Sequence, residues 1–84
     1  MSSDPLFEEV FPRGVDAYLN HCKREGRDSK QPSRSDSGIA EYDDRMLLVL
    51  ANVNGPLALY EIHEHGAIRF IDDEELLRRI ASEW

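Results

Sequence analysis

The sequence predicts an α+β domain: an N-terminal helix, a linker, a four-stranded antiparallel meander and a C-terminal helix. Three observations carry this. Apolar residues recur at helical spacing between Leu6 and Cys22. From Ile39 onward the pattern changes to short apolar runs separated by Asp43-Asp44, Asn54-Gly55 and Gly66. After Phe70 and Ile71 a run of acids opens a second helical pattern that ends at Trp84. The expected parts are residues 1–26 (helical), 27–37 (flexible linker) and 38–84 (meander plus helix), making one domain.

In the first helix, Asp4 is the expected N-cap and Pro5 the first helical residue, where a missing N–H costs nothing. Leu6, Phe7, Val10 and Phe11 follow at helical spacing. Pro12 and Gly14 interrupt them, so the helix is expected to kink at Pro12 or to restart there. Val15, Tyr18, Leu19 and Cys22 continue as one apolar stripe. Lys23 and Arg24 suit the negative end of the helix dipole, and Gly26 suits a left-handed C-terminal stop.

Sixteen residues, Lys23 to Gly38, carry no Ala, Val, Ile, Leu, Met, Phe, Trp, Tyr or Cys. A stretch so polar buries too little to offset its ordering entropy, and Arg27–Ser37 reads as a mobile linker.

The strands follow. Ile39–Tyr42 is a short strand ended by Asp43-Asp44. Met46–Val53 is nearly all apolar, as a central strand covered on both faces would be. Asn54-Gly55 is a strong signal for a two-residue type I′ hairpin loop. That loop pairs Val53 with Pro56, Ala51 with Ala58, Val49 with Tyr60 and Leu47 with Ile62. At the next turn a three-residue loop, Glu64-His65-Gly66, pairs Ile62 with Ile68, Tyr60 with Phe70 and Glu61 with Arg69. It joins apolar to apolar and acid to base, and gives Gly66 a left-handed position. In the last helix Asp72 is the expected N-cap, with Glu75 three residues on. Leu76, Leu77, Ile80 and Trp84 form its buried stripe.

With these registers both sheet faces are apolar. One carries Leu47, Val49, Ala51, Ala58, Tyr60, Ile62, Ile68 and Phe70. The other carries Met46, Leu48, Leu50, Leu57, Leu59 and Ile71, with Glu61, His63 and Arg69 toward one end. Three arrangements satisfy them: a helix on each face, two sheets packed between chains, or a face left for a partner. An open second face would make Leu48, Leu50, Leu57 and Leu59 an interface.

Composition narrows the function. With 84 residues the chain is too short for a dinucleotide fold or a barrel. Ten bases against seventeen acids give a net charge of −7, which argues against a dedicated nucleic-acid binder. The charge is spread unevenly: residues 1–22 sum to −3, 23–36 to +2 and 37–84 to −6. No run is long enough to span a bilayer, and the N-terminus lacks signal-peptide character. A single cysteine, Cys22, permits no intrachain disulfide, and the expected setting is cytoplasmic.

His63 and His65, with Glu61, are the nearest thing to a metal-ligand set, but His65 falls in a turn and no further ligand is evident. Solvated turn histidines are the simpler reading. Cys22 falls on the apolar stripe and reads as a small hydrophobe rather than a nucleophile. The carboxylate pairs read as caps and turns, and no phosphate loop, nucleophile elbow or HExxH helix is present. The sequence therefore points away from an enzyme, with no catalytic residue and no cofactor. It suggests a small interaction module that self-associates as a homodimer or binds a protein through an apolar sheet face. Two alternatives stand beside that: an acidic regulator or inhibitor of a basic, nucleic-acid-binding target, and a small metal-dependent enzyme using His63, His65 and Glu61.

Overall fold

Each face of the sheet is covered by one helix. The computed structural model describes residues 5–28 and 30–84. Its elements run α1 (Pro5–Glu25), β1 (Gly38–Tyr42), β2 (Arg45–Asn52), β3 (Gly55–Ile62), a 3-10 turn (Glu64–Gly66), β4 (Ile68–Phe70) and α2 (Glu74–Glu83). The strands form one antiparallel sheet in the order β1-β2-β3-β4. This is the α+β meander between two helices that the apolar pattern predicts. Asp4, the expected cap of α1, lies outside the described residues.

α1 continues through Pro12 as a single helix, so no second helix starts there. Pro12 removes the N–H that would bond the Glu8 carbonyl, and its ring sits on the exposed side. The buried stripe is Val10, Gly14, Tyr18 and Cys22, with Val15 and Leu19 only half-buried beside it. Gly14 is the point of closest approach. A methyl group there would overlap Leu48 Cδ2 and stand 3.4 Å from Leu50 Cδ2.

The β2–β3 register corrects the sequence reading by one residue. Leu48 pairs with Tyr60, Val49 with Leu59 and Leu50 with Ala58; the hairpin closes on Asn52 and Gly55, not on Val53 and Pro56. The reason lies in Pro56. A type I′ loop at Asn54-Gly55 needs the N–H of residue 56 to bond the carbonyl of residue 53, and proline has none. Moving the loop back to Val53-Asn54 gives that closing position to Gly55, which adopts φ +119°. Asn52 Oδ1 then accepts from Asn54 N–H at 2.8 Å. Pro56 falls opposite Ala51, and a bulge follows between Leu50 and Ala51.

A one-residue slip regroups the faces, because side chains alternate along each strand. Leu48, Leu50, Ala58 and Tyr60 pack with Val10, Tyr18 and Cys22 of α1. Leu47, Val49 and Leu59 pack with Leu76 and Ile80 of α2. The type I′ turn occurs at the other hairpin, where Asp43 and Asp44 both take positive φ (53° and 62°). The third turn follows expectation: Tyr60 pairs with Phe70, Glu61 with Arg69 and Ile62 with Ile68, and Gly66 has φ +75°.

α2 begins one residue later than Asp72 suggests. Asp73 is the N-cap, and its carboxylate accepts from Leu76 N–H at 3.0 Å. Two adjacent aspartates look alike in sequence, and only one reaches the third amide ahead. Leu76 and Ile80 are buried, but Trp84 is not: it is 46% exposed. Its indole N–H donates to the Asp36 carbonyl at 2.7 Å. The polar segment before β1 docks along the end of β2. Ser33 N–H donates to the Ala51 carbonyl (2.7 Å), and the Ser37 hydroxyl meets both Ala51 N–H (2.9 Å) and its carbonyl (3.2 Å). Arg34 pairs with Glu8 and lies over the Phe7 ring.

Candidate functional site

The four leucines expected at an interface do not share an open face. Leu48 and Leu50 lie under α1, and Leu59 lies under α2. All three are 0–1% exposed. Leu57 sits at the bulge, half-buried at the edge of the α1 cluster.

Near Leu57 the sheet opens into a cleft of about 270 Å³. β4 is only three residues long, so among the described residues the first half of the eight-residue β3 has no outer neighbour strand. The last bond on that side is Ile71 N–H to the Leu59 carbonyl, at 3.0 Å. The C-terminal end of α1 and the N-terminal end of α2 flank the gap. Its floor is apolar: Leu57, Ala58, Leu59, Phe70, Ile71 and Leu77. Its rim is charged: Glu25, Asp72, Asp73 and Glu74 against Arg27, with His21 between.

The rim is partly organised from within. Glu25 takes Arg27 at 3.0 Å and His21 at 3.3 Å. His21 lies on Phe70, ring centroids 4.7 Å apart, and Phe70 meets Tyr60 edge-on at 5.6 Å. Phe70 remains 38% exposed beside the cleft. Asp73 is committed to its cap. Asp72 and Glu74 have no ion-pair partner among the described residues.

Behind the floor, Tyr18, Cys22 and Tyr60 form a buried group. Burial pushes the Tyr60 hydroxyl up to about 12 and raises Tyr18 as well. The Tyr18 oxygen accepts from Lys30 N–H at 3.3 Å. Cys22 is a free thiol at 3% exposure, packed as the apolar stripe predicts.

The metal-ligand set does not assemble. Glu61 Oε1 lies 3.1 Å from His63 Nε2, and Glu61 Oε2 lies 3.7 Å from Arg45. His65 is in the left-handed turn (φ 63°) with its carbonyl turned to Arg13. Among the described residues no three His, Cys, Asp or Glu side chains converge.

His21, Arg27 and Leu77 were not singled out by the sequence as a group. His21 and Arg27 meet locally through Glu25 at the end of α1, and only the tertiary fold sets Leu77 of α2 across the cleft from them. The Tyr60–Phe70 pairing was legible, and the acids from Asp72 mark the end of β4, but they do not show that the first half of β3 is left beside a cleft. No helix among the described residues is long and apolar enough to cross a membrane. No family model, curated protein or solved structure matches this chain.

Proposed function

We propose that this chain is a small protein-binding module that receives a basic segment of a partner in the cleft between α1 and α2. One observation carries the reading: an apolar floor with an exposed phenylalanine lies inside a rim of four carboxylates to one guanidinium. A cleft of about 270 Å³ suits one or two anchoring side chains. Phe70 would supply the apolar anchor, and the acidic rim the association rate and the choice of partner. The net charge of −7 supports the same preference over the whole surface.

This reading keeps an interaction role but moves it off the sheet faces. A homodimer through Leu48, Leu50 and Leu59 would first have to displace α1 and α2. It is the acidic-regulator reading given a site, with basic proteins, nucleic-acid-binding ones included, as the target class. The metal-enzyme reading has less support, since Glu61 pairs with both His63 and Arg45 and no third ligand joins them among the described residues.

The test is selection from a random peptide display library on the wild-type protein, with counter-selection on Phe70→Ala. Enriched peptides should carry Lys or Arg around one large apolar residue. They should bind Phe70→Ala about tenfold more weakly, as loss of a central aromatic contact does. Enrichment of acidic peptides, or equal binding to Phe70→Ala, refutes the cleft.

A further inference from the structure

The sheet has a second opening, on the edge away from the cleft, where β1 has no outer neighbour strand among the described residues. The bonding phase of β1 follows from its hairpin. A two-residue type I′ loop at Asp43-Asp44 closes on a bonded pair, Tyr42 with Arg45. Alternation then turns Ala40 and Gly38 inward as well, toward Leu47 and Val49. Ala51 checks this phase independently: its N–H and carbonyl reach the β1 side, to Ser37 and Ser33. The N–H and carbonyl groups of Ile39 and Glu41 therefore point outward, and no described residue bonds them.

An open edge invites another strand, and its side chains select which. Residues 36–44 hold four acids, Asp36, Glu41, Asp43 and Asp44, and no Lys or Arg. A second copy is a poor occupant. Two-fold pairing that bonds Ile39 to the partner's Glu41 also sets Asp36 opposite the partner's Asp44, a like-charge contact, with Arg45 next to Asp44 and Arg79 on the Tyr42 hydroxyl as the nearest bases. At the start of β1 the exposed Trp84 ring stands against Gly38, 3.2 Å from where a Cβ would be. An aromatic face there favours a cation.

We propose that β1 accepts an extended basic segment of a partner protein as a fifth strand, with Lys or Arg at alternate positions facing the acids. This goes beyond the cleft reading and does not depend on it. The two sites lie on opposite edges of the sheet.

The probe is an end-capped octapeptide alternating Lys and Val, followed by amide hydrogen exchange and NMR shifts. Saturation should slow exchange at Ile39 and Glu41 at least tenfold, with shifts along β1. Glu41→Pro keeps a backbone that an edge strand tolerates and removes both the outward N–H and the charge, so it should abolish binding. Glu41→Lys keeps the N–H and should weaken binding tenfold or more, while Phe70→Ala should leave it unchanged. Unprotected amides at saturation, or unchanged binding by Glu41→Pro, overturn the proposal. So does protection that appears without peptide and grows with protein concentration, because the occupant is then a second copy.

Discussion

Gly14→Ala tests how α1 sits on the sheet, because the sign of its effect is at stake. On an exposed helical surface this change stabilises by about 1 kcal/mol, since alanine is the better helix former. At Gly14 the new methyl overlaps Leu48 Cδ2 and presses on Leu50, and both leucines are 0% exposed. Neither can swing into solvent, so α1 must lift or the core must repack. Overpacking of this kind costs roughly 1–3 kcal/mol. The net expectation, after the helix gain, is destabilisation by up to about 2 kcal/mol, or a fall in Tm of up to roughly 15 °C for a domain this size. Urea denaturation followed by circular dichroism measures it directly. Combining Gly14→Ala with Leu48→Ala provides the space, so the pair should cost less than the two single changes summed. A stabilised Gly14→Ala protein would refute the close approach of α1 to β2.

Two further perturbations are separable. Asp73→Ala should cost about 1 kcal/mol through loss of the cap on Leu76, while Asp72→Ala should leave stability within about 0.5 kcal/mol. Equal costs, read by thermal melts, would refute the assignment of the cap. The second concerns pH. Tyr60 keeps its proton in the folded state up to about 12, whereas in the unfolded chain it titrates near the ordinary 10.0. Above pH 10 the unfolded state binds fewer protons than the folded, so stability is present below pH 10 and lost as pH rises toward 12. The loss amounts to roughly 2–3 kcal/mol from this group, with Tyr18 acting in the same direction. Denaturation of Tyr60→Phe at pH 9 and pH 11 should show a shallower decline than wild type. An identical decline would place the proton linkage elsewhere.

The comparison of residue pattern with structure is clearest in the hairpins. At the β3–β4 turn, cross-strand chemistry was decisive: only one register joined Ile62 to Ile68 and Glu61 to Arg69, and it is the one formed. At the β2–β3 turn the Asn54-Gly55 signal pointed one residue too far, because the missing N–H of Pro56 outranks the turn preference of the dipeptide. That information was in the sequence and needed only the donor of the closing bond to be counted. The regrouping of Leu48 and Leu50 with Tyr60, and of Leu59 with Leu47, follows from that single step. Trp84 was not recoverable in the same way. Helical spacing places it on the stripe of Leu76 and Ile80, but its indole reaches past the end of the helix to Asp36.

Local rules therefore determined the elements of this protein, their order and most of their ends, since periodicity, turn residues and caps act over a few residues. They also determined that both faces of the sheet needed cover. Tertiary structure alone decided what supplied it: α1 took one face and α2 the other, as Gly14 let α1 approach and Asp73 started α2. The cleft beside Phe70 and the bare edge of β1 are likewise tertiary. Each exists because a strand ends or a neighbour is missing, and a gap between distant segments leaves no periodic trace in the chain that surrounds it.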